Sequence, residues 1–320
     1  MIAQGRSRQY DDAVTTMYLE HFGLKELPFS LTPNTQFFLN MASYHKAYNM
    51  LMVSIANREG FIKVVGEVGT GKTMLCRKVL NTLEENKEVY VTSYIANPVL
   101  SPKGLFLAFA EELGLEADAD TGHHSLLKKI TRKLMQLSAE NKQAVLFIDE
   151  AHAMPEKTLE ALRLLTNQET EKVKLFQVVL FAQPELDEQL QKQSLRQLQQ
   201  RITFSYRLES LDRDGVERYV THRMATAGYS GPAVFSRKAL DYLYACSNGI
   251  PRLVNILSHK AMMAAYGKGD RTVELEHVKR AVEDTEGVVE PAVSYKPMMA
   301  ASIGVIAGAA LLFYIASYYL

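Results

Sequence analysis

The sequence predicts an α/β protein: a five-stranded parallel sheet followed by a small all-helical segment. Two observations carry that reading. Between Phe61 and Leu208, short β-branched runs alternate with helical periodicity, the pattern of strand–helix–strand units. After Asp212 the strands stop, and four apolar-periodic segments follow, each with a capping residue or a Gly/Pro break. A third observation adds an element outside both parts. All 36 basic and all 36 acidic residues of the 320-residue chain lie before residue 297, so the end of the sequence is an uncharged block.

Taken in order, residues 1–16 are polar, carry no pattern and read as an N-terminal extension, with Met17 as an alternative start. An apolar run begins at Tyr18, a stretch punctuated by Pro28 and Pro33 follows, and a helix is expected over Ser43–Asn57. Strands are expected at Phe61–Val65, Glu88–Ile95, Ala144–Asp149, Leu175–Ala182 and Thr203–Leu208. Helices are expected between them at about Lys72–Glu85, Pro102–Leu113, Ser125–Ser138, Pro155–Gln168 and Ser194–Arg201. The α/β domain thus spans 17–208. A helical domain over 209–286 holds segments near Asp214–Ala227, Ser236–Ser247, Pro251–Tyr266 and Glu274–Glu286. Residues 287–297, with two prolines, read as a linker.

Residues 298–320 contain no Asp, Glu, Lys, Arg, His or Pro. At 1.5 Å per residue, a helix of that length crosses a hydrocarbon core of roughly 30 Å. Tyr314, Tyr318 and Tyr319 fall toward one interface and Lys296 toward the other. A buried core helix of this length would show a polar stripe, and none is present. Gly304 and Gly308, four apart, offer a close-packing face for a second helix. With no apolar signal region at the N-terminus, the expectation is a single-pass tail anchor with the folded domain in the cytoplasm. Zero net charge argues against a nucleic-acid client, since no global excess of cation is available to displace counterions. Cys76 and Cys246 have no partner spacing and read as reduced, buried thiols.

The chemistry is concentrated in two motifs. Gly66, Glu67, Val68, Gly69, Thr70, Gly71, Lys72 and Thr73 match G-x-x-x-x-G-K-[ST] directly after an expected strand and opening an expected helix, with Met74 next. In such a loop, backbone N–H groups turn inward to cradle the phosphates of ATP at the positive end of a helix dipole. Lys72 neutralises phosphate charge, and Thr73 holds Mg²⁺ through its hydroxyl. Ala144–Phe147 with Ile148 form an apolar strand ending in Asp149 and Glu150. Asp149 fits a Mg²⁺-orienting acid and Glu150 a base that polarises the attacking water. His152 follows, but only one α/β domain is present where a helicase would have two, so it reads as a loop residue near the site.

Other polar residues leave alternatives open. Gln183 at the tip of a strand is either a contact to the γ-phosphate or attacking water, or a strand cap. Arg196 and Arg201 read as solvated helix residues. Arg252, behind Pro251 in the first turn of a helix, either points at a nucleotide between the domains or is a surface arginine at the unfavourable end of a dipole. His123 and His124 lack a third spaced ligand, so a metal site is not expected there. Met262 and Met263 read as core filler.

Together these features resemble the AAA+ ATPases. Tyr18-Leu-Glu-His-Phe-Gly23, Leu27-Pro-Phe-Ser-Leu-Thr-Pro33, Glu59-Gly-Phe-Ile-Lys-Val-Val-Gly66, Phe181-Ala-Gln-Pro-Glu-Leu186, Leu195-Arg-Gln-Leu-Gln-Gln-Arg-Ile202 and Gly249-Ile-Pro-Arg-Leu-Val-Asn255 narrow the resemblance to the ExeA/GspA family of bacterial envelope-assembly ATPases. Thr203-Phe-Ser-Tyr-Arg207 and Thr226-Ala-Gly-Tyr-Ser-Gly-Pro232 look most similar to the branch associated with the mannose-sensitive haemagglutinin (MSHA) type IV pilus. The resemblance covers about Met17 to Glu286. It implies an AAA+ fold whose helical domain is a lid, with Gln183 as sensor, Arg252 as lid sensor, and Arg201, with Arg196 as alternate, as a finger acting in a neighbouring subunit.

The resemblance further implies a homo-oligomeric ring, with a hexamer as one size, at the bacterial inner membrane. It implies pilus or type II secretion assembly proteins as partners, and the neutral charge leaves no nucleic acid expected. Ala182 departs from the Gly often found there, and longer relatives continue into a periplasmic peptidoglycan-binding domain, so cell-wall binding is not implied. Two other classes stand against this reading. One is a DNA-associated AAA+ ATPase of the transposition-helper or initiator type, disfavoured by the neutral charge and uncharged tail. The other is a nucleotide-dependent scaffold with little turnover, disfavoured by Glu150.

Overall fold

A computed structural model describes residues 17–39, 41–116, 120–166 and 174–288. Strands β1 (Phe61–Val65), β2 (Tyr90–Ile95), β3 (Gln143–Ile148), β4 (Phe176–Ala182) and β5 (Ile202–Arg207) form one parallel sheet in the order β2-β3-β4-β1-β5. The central strands β3 and β4 are buried along their whole length; their apolar runs, 144–148 and 178–182, suit strands covered on both faces, and the buried amides of Gln143 and Gln177 pair with each other. Edge strand β5 is largely exposed, which fits its polar residues.

Period-two alternation sorts the central side chains between two cores. Val145, Phe147, Val179 and Phe181 pack with helices α2 (Ala42–Ala56) and α3 (Lys72–Glu84) on one face. Ala144, Leu146, Ile148, Val178 and Leu180 pack with α4 (Pro102–Glu112), α5 (His123–Ala139) and α6 (Glu156–Leu165) on the other. Register aligns the strand ends: Val65 pairs with Ala182 and Ile148 with Leu180. Gly66, Asp149 and Gln183, each the residue after its strand, therefore emerge at one end of the sheet, where open α/β sheets bind ligands.

Beyond the sheet lie α9 (Arg213–Thr226), α10 (Arg237–Ser247), α11 (Pro251–Lys268) and α12 (Leu275–Glu283). Their starts follow ordinary capping chemistry: Asp212 accepts from the Gly215 N–H at 2.6 Å, and the Ser236 hydroxyl from the Ala239 N–H at 3.4 Å. This helical lid and the α2/α3 face of the sheet share one continuous apolar cluster, and residues up to Val288 form a single compact unit. The segment before α2 belongs to both parts. Tyr18, in helix α1 (17–22), donates to Met262 Sδ at 3.3 Å, and the Lys25 N–H donates to Ala227 O at 2.8 Å. The chain then crosses to α2, with Phe29 and Phe37 buried on the way. We call residues 17–41 the strap.

Some boundaries differ from the sequence expectation. The helix expected over Ser194–Arg201 is a 3-10 turn, Gln193–Leu195, followed by α8 (Arg196–Arg201). The short α7 (Glu185–Leu190) was not expected. Helix α6 ends at Leu165, short of the expected Gln168, which lies outside the described residues. Cys76 and Cys246 are buried and form no disulfide among the described residues. Residues 1–16, most of the linker and the uncharged stretch 298–320 lie outside the described residues. Among those described, no helix is long and apolar enough to cross a membrane.

Candidate functional site

The loop after β1 turns into α3 through Gly71, the helix N-cap, and no side chain caps that helix. Its first-turn N–H groups are therefore left for a ligand, and the helix dipole favours an anion there. Lys72 is 4% exposed, and its Nζ donates to Gly66 O at 2.8 Å and Glu67 O at 3.0 Å, so the ammonium lies across the loop. Burial lowers its pKa from the ordinary lysine value, with the Glu150 and Asp149 carboxylates opposing that shift. From behind the loop, buried Tyr44 donates its hydroxyl to Thr70 O. Its own pKa is raised by burial, which keeps it a donor.

Asp149, 3% exposed, accepts from the Thr73 hydroxyl at 2.7 Å. Its other oxygen accepts the Glu150 N–H at 2.9 Å. A hydroxyl and a carboxylate side by side make an all-oxygen donor set, the chemistry that suits Mg²⁺. Tyr94 of β2 reaches Asp149 at 3.4 Å. Burial, then the charge of Asp149, push its hydroxyl up to about 12, so it remains a donor. Nothing in the local sequence of β2 marks Tyr94; only the β2–β3 register brings it there.

Glu150 has φ 51° and ψ 36°, a left-handed conformation that costs a non-glycine residue about 1–3 kcal/mol. The turn it starts, η2 (Ala151–Ala153), folds His152 back toward the tip of β4. There the Gln183 N–H donates to His152 Nδ1 at 3.3 Å, and Gln183 Nε2 donates to Glu150 Oε2 at 3.2 Å. His152 Nε2 lies 3.5 Å from the same Glu150 oxygen. Gln183 is thus placed against Glu150, and His152 is tied to both rather than standing free in a loop.

These residues open into a cavity of about 520 Å³, within the range of ordinary small-molecule sites. Lys72, Thr73, Glu150 and Gln183 line one end. The strap supplies Phe37, Phe38 and Met41, α9 supplies Tyr219 and Arg223, and α11 supplies Arg252. Arg223 is 4% exposed and has no carboxylate partner among the described residues. It donates to Pro28 O, to Ser30 O at 3.1 Å and to Tyr219 Oη at 2.9 Å, with its guanidinium 4.7 Å from the centre of the Phe37 ring. This wall went unread in the sequence because it comes from residues nearly 200 positions apart.

Arg252 is exposed, and its N–H donates to Gly69 O at 3.2 Å, which joins the lid to the phosphate loop. Two glycines permit that approach. A Cβ on Gly69 (φ +80°) would lie 2.7 Å from Arg252 Cβ, and one on Gly249 (φ +67°) would lie 1.8 Å from Leu211 O. Arg201 is half-buried, and donates to Thr166 Oγ1 at 2.9 Å and Arg163 O at 3.4 Å, so it is not the fully solvated residue expected. Arg196 is exposed, and neither arginine lines the cavity of its own chain.

His123 and His124 are exposed, with the His123 ring 5.0 Å from that of Phe106. Among the described residues, Asp270, Glu276 and His277 form the one cluster able to hold a metal. There, however, His277 Nδ1 accepts the Glu274 N–H at 3.0 Å, which leaves the proton on Nε2, facing Asp270 at 3.3 Å. That tautomer is a donor, not a ligand.

A loop and helix N-terminus for phosphate, an acid pair at the next strand end, and a helical lid over both define a P-loop NTPase of the AAA+ class. Residues 55–190 match the family model described as AAA domain. General secretion pathway protein A of Aeromonas hydrophila is 38% identical over 288 residues, which is 90% of this chain and 52% of that protein. The chain belongs to the ExeA/GspA-type AAA+ proteins, and spans about half the length of that curated relative.

Solved structures show the same fold at low identity. Cdc6p from Pyrobaculum aerophilum is 17% identical with a TM-score of 0.63, over 82% of this chain and 72% of that one. The Aeropyrum pernix ORC2 protein is 14% identical with a TM-score of 0.60, over 83% and 73%. The Thermotoga maritima RuvB branch migration motor is 16% identical with a TM-score of 0.53, over 79% and 72%.

Proposed function

We propose that the chain is a Mg²⁺-dependent ATPase that serves assembly of an envelope machine, either a type II secretion system or an MSHA-like type IV pilus. The observation that carries the hydrolytic reading is the shared cavity in which Lys72, Thr73 and Glu150 meet, with Asp149 held on Thr73 at 2.7 Å. In this reading the α3 N-terminus and Lys72 bind the phosphates, and Gln183 and Glu150 orient the attacking water, with Glu150 as base. Thr73 and Asp149 hold Mg²⁺, which supplies charge neutralisation at the phosphates. Arg252 senses the nucleotide from the lid.

The envelope assignment rests on the relative named for general secretion and on the uncharged stretch 298–320, which we assign as a single-pass anchor in the bacterial inner membrane. The pilus alternative rests on the motifs at 203–207 and 226–232 that resemble the MSHA-associated branch. Domain limits of 17–208, 209–286, 287–297 and 298–320 belong to the same proposal.

The base assignment is tested on the full chain in detergent. Glu150→Gln should retain bound ATP while kcat falls by roughly 100-fold or more; unimpaired turnover would remove Glu150 as the base. We assign Arg201 as the finger reaching a neighbouring subunit in a homo-oligomeric ring, with Arg196 as the alternate. Its hold on Thr166 and Arg163 O anchors the side chain at the C-terminus of α6. Mixing Arg201→Ala with Lys72→Ala protein should restore activity above either alone, because mixed neighbours rebuild an intact site. No restoration at any ratio would count against action in trans.

A further inference from the structure

We propose that His152 is a positioning residue that locks the Glu150 carboxylate to the tip of β4. The inference deepens the hydrolytic reading above and rests on it. Four contacts define the arrangement. Gln183 reaches the pair twice, through its backbone N–H to His152 Nδ1 at 3.3 Å and through its amide Nε2 to Glu150 Oε2 at 3.2 Å. His152 Nε2 then faces that same oxygen at 3.5 Å, and Gln189 Nε2 fixes the His152 carbonyl at 2.8 Å.

The tautomer follows from this geometry. Because Nδ1 accepts a backbone N–H, its lone pair is in use and the ring proton sits on Nε2, directed at Glu150. A ring protonated on Nδ1 would set two donors against each other at 3.3 Å.

The left-handed backbone of Glu150 gives this lock a purpose. A residue at φ 51° is held there only when its surroundings over-determine it, and the 3-10 turn Ala151–Ala153 brings the ring back over the strand ends. Glu150 and Gln183 line the cavity while His152 does not, so the imidazole braces the carboxylate from behind. A shift of the β4 tip is therefore passed to the base by two routes at once, through the Gln183 amide and through the ring.

Substitutions that copy one nitrogen at a time test this. Glutamine puts an amide N–H near the place of Nε2, whereas asparagine reaches only that of Nδ1. In the full chain in detergent, His152→Ala and His152→Asn should lower kcat by roughly tenfold to a hundredfold, the scale of a small misplacement of a reacting group. ATP affinity should stay within about twofold and the melting temperature near the parent's. His152→Gln should recover most of kcat. Wild-type turnover in His152→Ala, or a glutamine variant no better than the asparagine one, would overturn the proposal.

A readout independent of turnover comes from ¹⁵N solid-state NMR of histidine-labelled protein, with His152→Gln supplying the assignment. A proton on Nε2 is expected, and one on Nδ1 overturns the lock. If the parent binds ATP and hydrolyses none, the ATPase reading fails, while the tautomer still reports whether the ring faces Glu150 as described.

Discussion

The two ends of one cavity are built in opposite ways. The phosphate end takes Gly66 to Thr73 from one unbroken stretch and Asp149 and Glu150 from a second, each fixed where a buried strand stops. The far end is assembled from the strap, α9 and α11, with Phe37, Tyr219, Arg223 and Arg252 converging from distant parts of the chain. Charge is handled differently as well. Lys72 donates to two loop carbonyls within the field of the Glu150 and Asp149 carboxylates, while buried Arg223 is satisfied by carbonyls, a hydroxyl and ring faces. The first end is a local motif for binding an anion. The second exists only once lid and strap have packed together.

The largest expected effect comes from breaking the phosphate end. Lys72→Ala removes the one buried ammonium in the cavity and its charge-assisted contacts to phosphate, worth about 3 kcal/mol or more. Dissociation constants for ATP and for inorganic tripolyphosphate should both rise by roughly 100-fold. Because tripolyphosphate has no base or sugar, equal losses for the two ligands locate the effect at the phosphates. Retained ATP affinity would sink the assignment of this loop as a phosphate site.

That asymmetry also explains what the sequence discloses. The sheet was legible because strands buried on both faces are predominantly apolar: Gln143–Ile148 and Phe176–Ala182, each with one glutamine, lie close to the expected runs. The lid was legible because its helices begin at ordinary caps such as Asp212 and Ser236. Where local pattern and tertiary role diverge, the reading failed. Residues 17–41 have no strand or helix period long enough to notice, and their meaning lies in the surface they cover. His152 carried no signal beyond its place after the acid pair, since its role depends on the strained turn at Glu150 and the neighbouring tip of β4. Arg201 read as solvated because its partners, Thr166 and the Arg163 carbonyl, lie some 35 residues earlier on another helix.

A smaller and more selective effect is expected at the far end. Arg223→Ala removes two hydrogen bonds that tie the strap to α9, and a third within α9 to Tyr219, and strands the carbonyls of Pro28 and Ser30, at about 1–3 kcal/mol for each one left buried. Arg223→Lys should recover little, because a single ammonium cannot copy a planar fork that serves two carbonyls and a hydroxyl at once. The wall carrying Phe37 and Phe38 should then loosen while the loop at Gly66–Thr73 keeps its shape. Titrations should show ATP bound about tenfold more weakly, roughly 1.4 kcal/mol, with tripolyphosphate affinity unchanged and kcat at saturation near that of the parent. The ratio of the two affinities is the informative quantity, since a general loss of stability lowers both alike. If ATP affinity survives the substitution, Arg223 does not organise the far end. If tripolyphosphate weakens in step with ATP, the two ends are one cooperative structure and the contrast between them fails.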